Sequence, residues 1–263
     1  MKGALHVHST YSDGEFSLAD LRRIYLAQGC SFVCITDHAE YFDNHSLRTY
    51  ADDLQRHSDP DFCFVPGLEY CCDRDMHILG YGATALASSK APETVIRHID
   101  SQGAIAVIAH PKDESFSSIE EFATLPQGIE TWNSKYDGRY APRPATFALL
   151  ARLQQRAPHM LAFYGQDLHW KKQFRGLCVT IEADALDAST ILAALAAGNY
   201  HAEKDNLHLP SSGILPQALL AEFAEAHARS RRLRGILTSG KQTLDHLGIH
   251  LPKSLKTHLR RIF

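Results

Sequence analysis

Residues 6–14 read HVHSTYSDG and follow the short apolar run of Ala4 and Leu5. An extended backbone places residues two apart on the same face, so the imidazoles of His6 and His8 can point at one ion. Asp13 adds a hard oxygen donor five residues further on, and Gly14 permits a tight turn. Ser17 with Asp20 has the form of a capping box for a helix carrying Leu18, Leu21 and Tyr25. The order is strand, ligand-bearing loop, helix. By itself the stretch leaves metal binding and ordinary surface histidines both open, in a chain that holds 16 of them.

Further along, ligand types recur at the ends of β-prone runs. SFVCITDH ends in Thr36, Asp37 and His38, DFCFVPGLEY carries Glu69, and RDMHILGYG places His77 on a short strand or turn. AIAVIAHP is an apolar strand ending at His110, QGIETWN ends at Asn133, and HMLAFYGQDLH ends in Asp167 and His169. Helical patterns fall between them, over about 47–57, 92–102 (opened by Pro and closed by Gly103), 117–124, 143–157 and 187–198. GLCVTIEA adds a strand. Strands alternating with helices over short connections are the signature of parallel βαβ units, and about seven of them close most economically into a barrel. In such a barrel the carboxyl ends of the strands share one face, where active sites gather.

Length and composition agree. A chain of 263 residues, 44% hydrophobic, can bury a full core, and a net charge of −3 gives no global pull toward nucleic acid or membrane. The charge is uneven: residues 206–263 carry nine Lys/Arg and three Asp/Glu, leaving 18 and 27 in the first 205. From about Asn206 the strand–helix alternation gives way to helical patterns, so domain boundaries are expected at 1–205 for a barrel and 206–263 for a basic helical extension packing on it, with an amphipathic helix over 215–237 and a shorter one near 252–261. The six cysteines form no C-x-x-C pair, which indicates neither a zinc ribbon nor a disulfide framework. No apolar run is long enough to span a bilayer and no signal-peptide pattern opens the chain, so the expected location is the cytoplasm.

Nine groups are expected on the shared face: His6, His8, His38, His77, His110 and His169 with Asp13, Glu69 and Asp167. They are too many for one tetrahedral ion, so two or three divalent ions are implied. Nitrogen and oxygen donors without cysteine favour Mn, Fe or catalytic Zn. Three dications against three carboxylates leave the site electropositive, which suits an anionic substrate such as a phosphate ester.

HVHSTYSDG, the TDH of 36–38, the GLE of 67–69, the isolated His77, the AHP of 109–111 and the GQDLH of 165–169 together resemble the ordered motifs of the PHP family, the polymerase and histidinol phosphatase group of metal-dependent phosphoesterases. The resemblance covers roughly residues 1–205 and rests on the ordered set. It implies an α/β fold, a distorted seven-stranded (β/α)7 barrel, with a trinuclear site. Carried over, His6, His8, Glu69 and Asp167 hold the first ion, Glu69 bridges to a second held by His77 and His110, and Asp13, His38 and His169 hold the third. Gln166 and Leu168 stand where Ser and Ala are frequent in the family, which bears on pocket shape rather than chemistry.

The expected activity is hydrolysis of a small-molecule or nucleotide phosphate ester by a metal-bound hydroxide, with Asp167 or His169 assisting proton transfer. Rim donors expected to meet the phosphate are Asn133, Lys135, Arg139, Arg143 and Arg175, with Lys112 and Lys171 nearby. Trp132, Tyr136 and Trp170 flank them, where a base or ring could stack. Two other classes stay open: a nuclease acting on short oligonucleotides, and a non-catalytic accessory barrel that keeps its metals for folding.

Overall fold

In the computed structural model, residues 1–138 and 140–246 are described. Two compact units divide the chain, Met1–Leu215 and Pro216–Phe263.

The first unit is built on one twelve-stranded sheet: β1 Lys2–Val7, β2 Phe32–Ile35, β3 Asp37–His38, β4 Cys63–Val65, β5 Gly67–Cys72, β6 Met76–Tyr81, β7 Ile105–Ala109, β8 Gly128–Asn133, β9 Leu161–Leu168, β10 Cys178–Ile181, β11 Tyr200–Lys204 and β12 Leu207–Pro210. Parallel pairing joins β1 to β2 and β9, β2 to β4, β3 to β5, β7 to β8 and β8 to β9. The hydrogen-bonded path is open. It runs from β12 through β11, β10, β1, β9, β8, β7, β6 and β5 to β3, with β2 and β4 branching from β1. Every residue of β2, β7 and β8 is buried, as expected of strands covered on both faces.

Six helices cover this sheet: α1 Leu18–Leu26, α2 Asn44–Arg56, α3 Pro92–Asp100, α4 Phe116–Glu120, α5 Pro144–Gln154 and α6 Ala188–Ala197. Their ends are written in the sequence. The Ser17 hydroxyl accepts from Asp20 N–H at the start of α1, Asp43 and Ser46 form a reciprocal box on α2, and Gly198, at φ 74°, closes α6 in the left-handed region. Inward faces carry Leu18, Leu21 and Tyr25 on α1, Val95, Ile96 and Ile99 on α3, and Leu149, Leu150 and Leu153 on α5. The stretch 117–124 gives only the short α4, because the chain turns toward Pro126.

Two departures from a uniformly parallel alternation matter. β6 is antiparallel to both β5 and β7, since only residues 73–75 connect β5 to β6 and a parallel return needs a crossover of a dozen residues or more. At the other end, β10, β11 and β12 form an antiparallel meander against β1. Residues 207–210, assigned from sequence to the helical extension, are thus the edge strand of the first unit.

The second unit contains α7, Gln217–His246. The shorter helix expected near 252–261 lies outside the described residues. No described helix is long and apolar enough to cross a membrane.

Candidate metal centre

The strand ends assemble all nine expected groups into one cluster. Glu69, near the middle of β5, is its hub. Its Oε2 lies 3.2 Å from His6 Nε2, 3.1 Å from His8 Nε2 and 3.6 Å from His38 Nδ1, and its Oε1 lies 2.7 Å from His77 Nδ1 and 3.1 Å from His110 Nε2. Asp167, at the end of β9, stands 3.1 Å from His169 Nδ1, 3.8 Å from His110 Nε2 and 3.9 Å from the Nε2 atoms of His6 and His8. Asp13 closes the third side, 3.3 Å from His169 Nε2, 3.7 Å from His38 Nε2 and 3.8 Å from His8 Nδ1. Four overlapping sets have donor atoms all within 4.8 Å of one another: His6, His8 and Glu69; His6, His110 and Asp167; His38, Glu69 and His77; and His8, Asp13, His38 and His169.

Local backbone explains how these side chains converge. His6, His110 and Asp167 adopt positive φ of 57°, 27° and 51°, a region L-residues other than Asn and Asp seldom occupy and one that recurs at functional sites. At His6 the ladder slips against both neighbours of β1. His6 and His8 therefore reach the same oxygen through a bulge, not through the plain two-residue alternation expected from sequence. His77 lies near the start of a strand rather than the end. Because β6 runs antiparallel, its first residues sit level with the carboxyl ends of β5 and β7, where His77 pairs with Cys71 and Ala109.

Burial and charge set the protonation states. Burial alone would raise the Glu69 and Asp167 carboxyls, but the facing imidazoles, His6 foremost, hold both well below the usual carboxylate range. Burial pushes the His8 imidazole down to about 3, against the opposing pull of Glu69. His6 goes the other way: despite complete burial, Glu130, Glu69 and Asp167 raise it well above its ordinary value. His8 Nδ1 and His38 Nδ1 are buried without a hydrogen bond, and His8 Nε2, though 3.1 Å from Glu69 Oε2, makes none of good geometry. Buried polar atoms are rarely left unpaired, and orphaned imidazole nitrogens facing ionised carboxylates fit divalent cations held by nitrogen and oxygen donors.

A residue the sequence reading passed over holds this arrangement from beneath. Glu130 on β8 is fully buried. Its Oε1 lies 2.8 Å from His6 Nδ1, and its Oε2 accepts from the His110 N–H at 2.8 Å and the Asn133 side-chain amide at 2.9 Å. With the Nδ1 proton directed to Glu130, His6 turns Nε2 toward the cluster. Gly165 makes room for this: a Cβ there would stand 1.7 Å from Glu130 Oε1. Within GIETWN, where Thr131 and Asn133 are polar as well, nothing in the linear pattern set this carboxylate apart.

The rim residues divide. Lys135 Nζ reaches into the cluster, 2.8 Å from Asp167 Oδ1 and 3.4 Å from His169 Nδ1. Asn133 is buried and donates to Glu130 and to Asp167 Oδ2, which places it below the cluster and not at its mouth. Arg143 is engaged by Asp137, Asp113 and the Pro111 carbonyl. Arg175 donates to the Ser134 carbonyl and Lys112 to Asp75. Arg139 lies outside the described residues. Trp132 is buried and bonds the Gly138 carbonyl. Three exposed rings, by contrast, each stand against a cluster histidine: Tyr136 by His110, Trp170 by His169, and Tyr41, which the sequence reading missed, by His38.

An α/β sheet whose strand ends gather six imidazoles and three carboxylates is, in fold, PHP-like. Among solved structures it superposes on a two-domain protein from Bacteroides vulgatus containing a predicted PHP-like metal-dependent phosphoesterase, with a TM-score of 0.55 and 18% identity over 86% of this chain and 69% of that one. PsfC from Pseudomonas syringae superposes with a TM-score of 0.53 and 13% identity, over 87% of this chain and 98% of that one. In sequence, 41 residues are 44% identical to the DNA polymerase/3′-5′ exonuclease PolX of Bacillus subtilis, a match of 16% of this chain and 7% of that protein. No family model matches the chain.

Proposed function

We propose that the chain is a metal-dependent phosphoesterase acting on a small-molecule or nucleotide phosphate ester. The observation that carries the reading is the convergence of nine nitrogen and oxygen donors around Glu69 and Asp167, with imidazole nitrogens buried and unpaired. On this reading three divalent ions, Mn, Fe or Zn, would be held, one at His6, His8, Glu69 and Asp167, one at Glu69, His77 and His110, and one at Asp13, His38 and His169, whereas the closest donor sets join His110 to His6 and Asp167, and His77 to Glu69 and His38. The PHP-like fold supports the same reading, with β2 and β3 as one strand interrupted at Thr36, β4 and β5 as one interrupted at Pro66, and the seven resulting strands, β1 to β9, as a ring.

Bound ions would supply positive charge to a phosphoryl group and make a water molecule acidic enough to attack it at neutral pH. The chain's own groups do the rest. Lys135 directs an ammonium at the cluster and can donate to a phosphate oxygen as charge develops on the leaving group. His169, which would hold the third ion through Nε2, has Nδ1 facing Asp167, so the proton it can pass is the one on Nδ1, exchanged with that carboxylate. Glu130 and Asn133 hold His6 and Asp167 in orientation. Tyr41, Tyr136 and Trp170 offer faces on which a ring-bearing ester can stack, and Arg175, which donates to the Ser134 carbonyl, is a candidate phosphate contact.

A second reading, a nuclease trimming short oligonucleotides, is favoured by the exposed rings, since base–aromatic stacking tolerates any sequence, and by the local likeness to a polymerase that carries 3′-5′ exonuclease activity. A non-catalytic accessory barrel is the third. The deciding experiment screens Mn-loaded protein against a panel of phosphorylated metabolites and short oligonucleotides, beside the His110→Ala variant. Turnover of a monoester that disappears with His110→Ala supports the phosphoesterase. Turnover of oligonucleotides alone, falling steeply with added salt, supports the nuclease. No turnover of any substrate by metal-loaded protein overturns both.

A further inference from the structure

A second group of metal-ligand side chains lies away from the strand-end cluster. His201 and Glu203 on β11 and His208 on β12 offer donor atoms within 4.8 Å of one another. Residues 201 and 203, two apart on a strand, share a face, and His208 sits directly across from Glu203 in the antiparallel register. His201 Nε2 lies 3.0 Å from Glu203 Oε1, and the two imidazole rings are 5.6 Å apart. Lys2 stands at the other carboxylate oxygen, 3.6 Å away. Although partial burial acts in the other direction, the Thr180 and His201 side chains hold the Glu203 carboxyl below its ordinary range. Among the described residues the His208 ring makes no hydrogen bond, and its ring–ring contact is with His201.

The trio belongs to no set in the cluster already described. Its register follows from the ladder: His201 pairs with Thr180, which pairs with Lys2. His201 is therefore level with Lys2, and Glu203, opposite Cys178, lies one pair beyond Gly3, two residues or roughly 7 Å short of His6 along β1, with β11 two strands, about 10 Å, to the side. No ion could be shared across that span.

We propose that this hairpin is a separate, single-ion site for a late first-row divalent cation, Zn2+, Ni2+ or Cu2+, held by His201, Glu203 and His208. Two imidazoles and one carboxylate are the donors such ions prefer, whereas Mg2+ and Ca2+ favour all-oxygen sets. Three protein ligands leave a fourth position to water or to an incoming group. Bound there, the ion takes the place between His201 Nε2 and Glu203 Oε1 and links the edge strand β12 to β11, tying down the last hairpin of the first unit.

Full-length protein titrated with Zn2+ by calorimetry, together with crystals of the Zn2+-loaded protein measured on both sides of the zinc absorption edge, tests this. Wild type binds one more equivalent than a His201→Ala/His208→Ala double variant, and an anomalous peak lies between the three side chains. Glu203→Gln, which keeps the hairpin's shape, weakens that equivalent by about tenfold or more. Equal stoichiometry in wild type and double variant, or zinc peaks confined to the strand-end cluster, overturns the site. Mg2+ occupying the hairpin in preference to Zn2+ overturns the choice of ion. None of these substitutions touches the cluster, so the readout is independent of whether the chain hydrolyses phosphate esters.

Discussion

At the scale of single residues, the strongest control lies in side chains that would not themselves touch a cation. Glu130 fixes the tautomer of His6, receives the His110 amide and, through Asn133, steadies Asp167. Supporting partners of this kind are worth about 10–100-fold in metal affinity. Glu130→Gln is therefore expected to lower affinity for Mn2+ or Zn2+ within that range while the circular dichroism spectrum stays unchanged; unchanged affinity would show that His6 is oriented by something else. Gly165→Ala should do at least as much, since its methyl group would have to displace the Glu130 carboxylate or the His6 Cβ, 3.0 Å away. Most of the clustered side chains stood out in the sequence as ligand types near the ends of β-prone runs; Asp13, in a loop, and His77, near the start of β6, did not stand out in that way. Glu130 did not stand out either, since nothing in a linear pattern distinguishes a carboxylate that supports a ligand from one that faces solvent. Two of the rim residues are engaged in ways the sequence did not suggest. Arg143 and Asn133 have the right chemistry to bind an anion, yet Asp137, Asp113 and Glu130 had already engaged them, and only tertiary contacts reveal that.

At the scale of elements, helix boundaries followed local chemistry closely, and strand direction did not. Ser17, Asp43 with Ser46, Pro92 and Gly198 each mark a helix end by a mechanism confined to a few residues. Ser17→Ala should accordingly cost about 1 kcal/mol of unfolding free energy, read from urea denaturation. Because α1 follows the loop that carries Asp13, the same variant is expected to load metal at wild-type stoichiometry if the cap serves the helix alone. Strand direction depends on how long a connection is. A three-residue link between β5 and β6 already forbids a parallel return, and that length could have been counted. The β11–β12 hairpin was hidden differently: Asp205, at φ 52°, and Asn206 make a two-residue turn between short runs, one of which ends in Pro. Such a segment reads as irregular when helices are being sought.

At the scale of the whole molecule, the first unit, Met1–Leu215, contains all nine cluster groups as well as the hairpin trio. A chain ending at Leu215 is expected to unfold cooperatively and to bind the same number of equivalents of metal per chain as the full protein, by elemental analysis. Loss of all binding would assign Pro216–Phe263 a part in forming the site. A cut at 205, where the change in pattern suggested a boundary, would instead remove β12 and His208 and leave β11 as a bare edge. The reversed course of β6 has one more consequence. In a uniformly parallel arrangement each sector of the mouth belongs to a loop leading into a helix, so lengthening any of them shifts the helix that follows. Here the sector beside His77 is a hairpin tip, residues 73–75, anchored by strands on both sides. Insertions at that tip would grow as a two-stranded arm reaching over the cluster, changing what the proposed site admits while the crossover helices keep their places, and relatives that differ in substrate should differ in length first at that tip.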